Sequence, residues 1–203
     1  MRRSITITLT KRPRKFKRWK TCIRILCALR VGARGSVALN AAIDMRLRTV
    51  LDVATGAVWY HGRAVMITRN DALLGVFNGD IGLCWFTPGE GLRVHLRRAD
   101  GQWRAIAPAR LGACEDAYAL TIHKAQGSEF EAIDVVLPDR PSRLVVRELI
   151  YTAVTRARSR LALWSSDEVL EQGVAVRTVR HSGLDARVRE AMLVLAQPPG
   201  APR

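Results

Sequence analysis

The sequence predicts an α/β protein built on a parallel sheet, with a small antiparallel β-barrel inserted into it. A strand, a helix and a further strand follow one another in the second half of the chain, and this order favours parallel strands joined by crossover helices. The middle of the chain instead carries short β-like runs separated by glycine-containing turns. Such a run of short strands suggests a small antiparallel barrel.

The first part of the parallel sheet is expected after a basic start. Residues 22–28 alternate well enough to form a half-buried strand. Ser36 is a candidate cap for a helix that begins near Val37. Apolar residues then recur at helical spacing and are assigned to the core: Leu39, Ile43, Leu47 and Val50.

The barrel is predicted from four short runs and the turns between them. Asn-Gly and Asp-Gly pairs supply the positive backbone angles that tight turns need. The predicted strands cover residues 64–68, 81–86, 92–96 and 102–106. The predicted turns cover residues 78–80, 88–91 and 99–101.

The α/β pattern resumes after the barrel. An apolar run, a strand, a helix, a strand and a last amphipathic helix are expected at 117–122, 133–137, 146–157, 161–164 and 184–195. The domain organisation that we predict has five parts: a basic extension with no assigned fold (1–21), the start of the parallel-sheet domain (22–56), the inserted barrel (57–116), the remainder of the parallel-sheet domain (117–196), and a disordered tail (197–203).

The charge balance points to a polyanionic partner. The chain has 33 Lys and Arg against 18 Asp and Glu, a formal net charge of +15, and nucleic acid is the first candidate. Twelve of the basic residues precede Asp44, and no acidic residue does. A basic run of this kind is more often a solvated tail than a folded binding surface.

Cysteine usage and hydropathy predict a cytoplasmic protein. The cysteines are scattered without a C-x-x-C pair, so neither a zinc site nor a disulfide framework is indicated: Cys22, Cys27, Cys84 and Cys114. Reduced thiols are the simple interpretation. No run has the length of a membrane span, and no secretory segment or membrane partner is predicted.

One stretch with chemical potential covers residues 117–130, where an apolar strand ends in a polar loop. Loops at the carboxyl ends of parallel strands commonly carry ligand sites, so we expect a site here. Lys124 and the hydroxyl of Thr121 are suited to phosphate contacts. Gly127 would let a backbone amide approach a nucleotide closely.

A second stretch, residues 147–160, is predicted as a helix with basic residues at its C-terminal end: Arg156, Arg158 and Arg160. Basic residues there complement the helix dipole, and that explanation holds for most sequences. The functional alternative is an arginine finger, an arginine that stabilises the charge building up on a transferred γ-phosphate.

The two stretches together resemble the fifth and sixth motifs of superfamily 1 helicases of the UvrD/RecD type. The segments are Thr-Ile-His-Lys-Ala-Gln-Gly-Ser-Glu-Phe and Tyr-Thr-Ala-Val-Thr-Arg-Ala-Arg. Residues 65–82, with Met-Ile-Thr-Arg-Asn-Asp and Phe-Asn-Gly-Asp-Ile-Gly, narrow the resemblance to RecD-like proteins, the alpha subunits of exodeoxyribonuclease V. It implies a second motor domain of RecA-like fold with an inserted SH3-like barrel.

The resemblance also implies roles for individual residues. Arg156 would be the arginine finger, and Gly127, Glu129 and Arg158 would contact the nucleotide. Thr121, His123 and Lys124 would face single-stranded DNA or couple it to the nucleotide cleft. The implied activity is ATP-driven 5′ to 3′ translocation in recombinational DNA repair, with RecB-like and RecC-like subunits as partners.

The family's phosphate loop, G-x-x-x-x-G-K-[S/T], does not occur in this sequence. ATP and Mg²⁺ would therefore be held through a separate ATP-binding half, and the chain alone is expected to bind neither and to be inactive. It is either a fragment of a helicase or a chain that completes its site against a partner.

Two non-catalytic alternatives stay open on the sequence. One is a DNA-binding module that acts through charge, and the other is a module that docks on other subunits. A metal-dependent nuclease is disfavoured, because no acidic cluster has metal-ligand spacing. The pairs Glu115-Asp116 and Asp167-Glu168 are interpreted as solvated turn or helix-start charges.

Overall fold

The computed structural model of the chain describes residues 4–8, 23–87, 89–97, 102–177 and 184–195. It contains two five-stranded sheets. The strands in chain order are β1 (Ser4–Thr8), β2 (Ile23–Cys27), β3 (Ala64–Ile67), β4 (Ile81–Thr87), β5 (Gly91–Arg97), β6 (Trp103–Ile106), β7 (Cys114–Asp116), β8 (Ala119–Thr121), β9 (Phe130–Val136) and β10 (Ala157–Trp164). The helices are α1 (Ser36–Val50), α2 (Arg147–Val154), α3 (Asp167–Ala175) and α4 (Leu184–Leu195).

The first sheet has the order β1-β10-β9-β2-β8 and confirms the predicted parallel architecture. Strands β10, β9, β2 and β8 run parallel to their neighbours, and β1 is added antiparallel along β10. Strand β1 lies in the basic extension, for which the residue pattern predicts no fold. An edge strand of this kind pairs through main-chain groups, which leave little trace in the residue pattern.

Helices α2 and α3 cover one face of the parallel sheet. Buried residues from β2, β8, β9 and β10 meet buried residues of both helices in one core cluster, for example Leu26, Leu120, Ile133, Leu149 and Val169. Burying one such Leu or Ile side chain contributes about 1.5–3 kcal/mol. This core fixes the positions of the loops that begin and end at the strands.

The second sheet is antiparallel, with the order β6-β5-β4-β3-β7, and its strands lie close to the predicted ones. It has its own core around Val65, Cys84 and Val94. Met66 of β3 faces the other way and joins the core of the parallel sheet, with Ile81 packed against it. The antiparallel sheet therefore packs against the parallel sheet domain through Met66 and Ile81.

The structure corrects two predicted helix boundaries. The helix predicted at 146–157 ends at Val154, and β10 begins at Ala157 because Ala157 pairs with Phe130 of β9. Ser36 is the first residue of α1 rather than its cap; Gly35 occupies the cap position, and no side chain caps the helix there. Helix α3 is an element that was not predicted; its cap is Ser166, which accepts a 3.3 Å hydrogen bond from the Val169 amide.

The structure describes some of the remaining predicted segments and not others. The last helix lies at the predicted residues 184–195. Residues 197–203, predicted as a disordered tail, lie outside the described residues, as do residues 9–21 and 99–101. Asp167 and Glu168, interpreted as helix-start charges, are in the first turn of α3.

Candidate functional site

The segment 121–130 connects the carboxyl end of β8 to the amino end of β9. Ile122 and Ala125 are fully buried and hold the segment against the core, while His123 and Lys124 are exposed. Residues His123–Ala125 form a single 3-10 turn. The Lys124 amide donates to the Thr121 hydroxyl at 3.4 Å. The apolar side chains of the segment therefore pack in the core, and its exposed polar side chains are accessible to a ligand.

The two ends of this segment lie at opposite ends of the parallel strands. We call the side of the sheet where these strands end the carboxyl edge and the side where they begin the amino edge. Because β8 and β9 run parallel, the chain must cross back from the carboxyl edge to the amino edge before β9 can begin. Gly127 makes part of this return with a φ of +81°, a backbone conformation that favours glycine. Of the residues expected at the carboxyl ends of the strands, Thr121 lies there, whereas Gly127 and Glu129 lie toward the amino ends, just before β9.

Arg156 lies at the amino edge, in the turn between α2 and β10. Its Nε donates to the Thr152 carbonyl at 3.1 Å and its Nη2 to the Thr155 hydroxyl at 3.2 Å. Its Nη1 donates to the Ser128 carbonyl at 3.2 Å, and the Phe130 amide donates to the Arg156 carbonyl at 2.8 Å. The two motif segments therefore meet at this residue.

The positive charge of Arg156 is held by neutral oxygens alone within the part of the chain that the structure describes. A guanidinium carries five N–H donors, and the three hydrogen bonds above leave two of them for a ligand. Arg158 differs, because its Nε donates to the Glu129 carboxylate at 2.9 Å in an exposed ion pair. The prediction that Arg156, Arg158 and Arg160 lie at the C-terminal end of a helix is wrong for Arg158 and Arg160, which belong to β10, whereas Arg156 directly follows the last turn of α2.

The carboxyl edge carries the other predicted group. Lys124 forms an ion pair with Glu115 of β7, and Asp116 pairs with Arg63 at 3.0 Å. Both acidic residues therefore lie in a strand and pair with basic side chains, which corrects their interpretation as solvated turn charges. No sequence pattern predicts these pairs, because each one joins residues of different elements.

A cleft with a volume of about 310 Å³ lies between α1 and β8 at this edge. Thr121, Lys124 and Glu115 line it, as do Arg30, Ser36 and Asn40 of the β2–α1 region. The Asn40 amide donates to the carbonyls of Asp116 at 3.0 Å and Ala119 at 2.9 Å, and it accepts from the Ala119 amide at 2.8 Å. Asn40 is not among the predicted site residues, because its hydrogen bonds depend wholly on tertiary contacts.

A polar network beside the cleft ties α1 to the segments that precede β3 and β8. Tyr60 donates to Asp44, and the hydroxyls of Tyr60 and Tyr118 lie 2.6 Å apart. Arg48 donates to the other Asp44 oxygen at 2.6 Å. Burial alone would raise the pKa of Asp44, but the hydrogen bonds from Tyr60 and Arg48 lower it below its usual range. Burial and the bond to Asp44 raise the pKa of Tyr60.

The structure thus sorts the predicted site residues into two groups. One group, at the amino edge, comprises Gly127, Glu129, Arg156 and Arg158. The other group, at the carboxyl edge, comprises Thr121, His123 and Lys124. Across the described residues, no cluster of three or more potential metal ligands occurs, and no helix there is long and apolar enough to cross a membrane.

Comparison with known proteins supports the motif assignment. Residues 116–164 match the UvrD-like helicase C-terminal domain family. The chain is 39% identical over 166 residues to the RecBCD enzyme subunit RecD of Mycobacterium tuberculosis, covering 82% of this chain and 28% of that protein. It is 31% identical over 174 residues to the ATP-dependent RecD2 DNA helicase of Deinococcus radiodurans, covering 82% of this chain and 23% of that protein.

Among solved structures, the Pif1 helicase from Candida albicans is similar with a TM-score of 0.49 and 15% identity, covering 89% of this chain and 52% of that chain. The parallel sheet, its two motif segments and the family match define a helicase C-terminal domain of the UvrD-like class. Within that class, the chain is a relative of the RecD proteins. It spans about a quarter of the length of the curated relatives that it matches.

Proposed function

We propose that this chain is the second motor domain of an ATP-dependent DNA helicase that moves 5′ to 3′ along single strands in recombinational DNA repair. The RecD relationship supports this function. Because the sequence holds no phosphate loop, the domain would work only against a separate ATP-binding half. On its own it would hydrolyse no ATP.

The arrangement around Arg156 is the observation that carries the proposal. Its guanidinium joins the Ser128 carbonyl of one motif to the turn that begins β10 in the other. It keeps two donors and an uncompensated charge at the edge of the sheet. An arginine placed in this way is suited to stabilise negative charge on a transferred phosphoryl group. ATP would supply that group when the domain is joined to its other half.

The residues beside Arg156 would complete the contacts to the nucleotide. Gly127 keeps the loop main chain open, with no atom within 4 Å of the position of a Cβ. Glu129 and Arg158 would contact the nucleotide after their exposed pair opens, which costs little because such surface pairs contribute about 0–1 kcal/mol. On the opposite edge, Thr121, His123 and Lys124 would contact the DNA strand.

Further assignments follow from the RecD relationship. The phosphate loop and the Mg²⁺ ligands would come from the other half of the helicase, and RecB-like and RecC-like subunits would be its partners. The antiparallel sheet would be a small SH3-like barrel inserted at residues 57–116 between two parts of a RecA-like domain, 22–56 and 117–196. We place the assembly in the cytoplasm.

A chimera tests the central assignment. This chain from residue 23 onward replaces the matching segment of the Mycobacterium tuberculosis relative, and DNA-stimulated ATP hydrolysis is measured. Arg156→Ala should leave ATP binding nearly intact and lower turnover by about a thousandfold or more, the range of arginine fingers. Arg143→Ala removes the same charge from an exposed position outside both groups and should have little effect.

Equal turnover in the Arg156→Ala and Arg143→Ala chimeras would refute the arginine-finger role. If the parent chimera binds single-stranded DNA but ATP hydrolysis does not depend on this domain, a non-catalytic DNA-binding or subunit-docking module would be the better description.

A further inference from the structure

Helix α1 contacts the rest of the chain through a polar stripe. Neither apolar core of the described residues includes a side chain of this helix. Asn40, Asp44 and Arg48 follow one another at every fourth position, so they lie along one side of the helix. Each of them hydrogen-bonds to a residue beyond the helix. The polar stripe therefore takes the place of the apolar face that usually anchors a helix.

The residues that contact this stripe lie on both sides of the antiparallel sheet in sequence. Ala57 and Tyr60 belong to the segment before β3, and Tyr118 lies between β7 and β8. Arg48 donates to the Ala57 carbonyl at 2.8 Å, and its guanidinium carbon lies 4.7 Å from the centre of the Tyr60 ring. One side of α1 therefore holds the chain where it enters the antiparallel sheet and, through Tyr60 and Tyr118, where it leaves that sheet.

The two tyrosine hydroxyls form a hydrogen-bonded chain with one direction. Tyr60 has a single hydroxyl hydrogen and donates it to the Asp44 carboxylate. The Tyr118 hydroxyl, which lies 2.6 Å from that of Tyr60, is therefore the donor in the next bond. Tyr60 is only 4% exposed, so water does not readily replace either bond, and leaving one of them unmade is unfavourable.

The apolar contact between the two sheets involves few residues. Among the strand residues of the antiparallel sheet, Met66 and Ile81 are those that join the core of the parallel sheet domain. Apolar contacts have no preferred direction, whereas a hydrogen bond weakens steeply when its angle departs from linearity. The hydrogen bonds of the polar stripe are therefore better suited than this apolar contact to fix the relative orientation of the two sheets.

We propose that Tyr60 and Tyr118 are positioning residues, which with Asp44 form a joint that fixes the antiparallel sheet relative to β8. The inference rests on the proposed function, in which Thr121 of β8 contacts the DNA strand. Tyr118 lies three residues before Thr121, so loosening the joint also loosens the start of β8. Only a fraction of the molecules then has the orientation that binds DNA, and the apparent affinity falls by that fraction.

The first test measures orientation directly, from amide residual dipolar couplings of the weakly aligned 203-residue chain. In the parent chain, the couplings of both sheets should fit a single alignment tensor. Tyr60→Phe and Tyr118→Phe each remove a hydroxyl of the joint, and the two sheets should then require two tensors of different magnitude. A parent chain that already needs two tensors, or variants that both keep one, would refute the joint.

Two control variants distinguish positioning from a loss of stability. Tyr151→Phe removes the hydroxyl of the third tyrosine, which is 67% exposed on α2, and it should behave like the parent chain. Ile133→Val shortens a fully buried side chain of β9 and should lower the melting temperature about as much as the two joint variants do. Its sheets should nevertheless fit one tensor. Two tensors in Ile133→Val would mean that any destabilisation loosens the sheets, and the joint would be overturned.

The second test measures DNA-stimulated ATP hydrolysis in the chimera with the Mycobacterium tuberculosis relative. Tyr60→Phe should raise the DNA concentration for half-maximal stimulation roughly five- to tenfold. Turnover at saturating DNA should not change, because Arg156 lies at the opposite edge of the sheet. If the two sheets of Tyr60→Phe separate into two tensors while this DNA concentration stays at the parent value, the role of the joint in DNA binding is refuted.

The two tests distinguish failure of the joint from failure of the proposed function. If DNA stimulates the parent chimera and Tyr60→Phe keeps both a single tensor and the parent affinity, the joint is refuted and the proposed function stands. If DNA does not stimulate the parent chimera, the proposed function fails together with the link between the joint and DNA. The dipolar couplings of the isolated chain still decide in that case whether Tyr60 and Tyr118 fix the two sheets.

Discussion

The two edges of the parallel sheet differ in how their basic side chains are compensated. At the carboxyl edge, Lys124 pairs with Glu115; on the elements beside it, Arg63 pairs with Asp116 and Arg48 with Asp44. At the amino edge, Arg156 contacts only carbonyl and hydroxyl oxygens among the described residues. The same short segment, 121–130, links these two surroundings.

The difference shows that the Arg156 side chain is positioned by groups that do not neutralise its charge. Neutral oxygens fix the direction of the Arg156 guanidinium without cancelling its charge, and a fixed uncompensated charge is what electrostatic stabilisation of a developing anion requires. The Lys124–Glu115 and Arg63–Asp116 pairs instead attach β7 to the segment after β8 and to the segment before β3, so their charges help to hold elements together. Substitutions at the amino edge should therefore affect turnover, and those at the carboxyl edge should affect stability and DNA affinity.

The largest expected effect comes from Arg156→Lys in the chimeric helicase. Lysine keeps the charge but has no planar fork to reach Ser128 and Thr155 together. Turnover should therefore stay about a hundredfold or more below the parent value, while ATP binding changes little. Steady-state ATP hydrolysis measures this. Full activity of Arg156→Lys would mean that charge alone suffices and that the hydrogen bonds have no positioning role.

A medium effect is expected from Asp44→Asn in α1. It removes the charge that accepts from Tyr60 and Arg48, and it should lower the free energy of unfolding by about 2 kcal/mol near neutral pH. The folded-state pKa of Asp44 is lowered, so its contribution is present above the unfolded pKa and is lost as the pH falls through the folded pKa. Urea unfolding near pH 7 and at about pH 3 measures this.

The control for that experiment is Asp52→Asn, because Asp52 is exposed and its positive φ suits asparagine equally well. It should be nearly neutral at both pH values. A gap between Asp44→Asn and the parent chain that persists unchanged at about pH 3 would argue against the carboxylate as the stabilising group.

The smallest effect is expected from Glu115→Gln, which releases Lys124 from its ion pair. The side chains of Lys124 and Glu115 are 39% and 35% exposed, so the pair stabilises the fold by less than about 1 kcal/mol. The freed ammonium should bind single-stranded DNA roughly two- to threefold more tightly at low salt. Anisotropy measures the change, and Glu171→Gln on α3 removes the same charge away from the cleft. Equal affinities of the two variants would show that Lys124 does not contact DNA.

Much of the fold could be predicted from local patterns. The strands at 22–28, 64–68 and 81–86 were visible because alternation and apolar runs reflect which side chains a strand buries. Helix α3 was missed although Ser166 and the acidic residues after it resemble a helix start. The end of α2 was also misplaced, because Thr155 to Ala157 has no breaker residue and only pairing with β9 ends the helix there.

Within the candidate site, the sequence by itself determined the chemical groups and their order along the chain: the Thr, His and Lys after one strand, the glycine and glutamate before the next, and the arginine after the helix. Only the tertiary structure decided that these groups divide between two edges of one sheet, because parallel pairing forces the chain to cross between them. It also decided which charges are compensated, since Arg63 reaches Asp116 from a segment 53 residues away, and Lys124 meets Glu115 only when the turn after β8 packs beside β7. Sequence patterns record which residues are buried, whereas the distances between charged groups arise only when the elements pack.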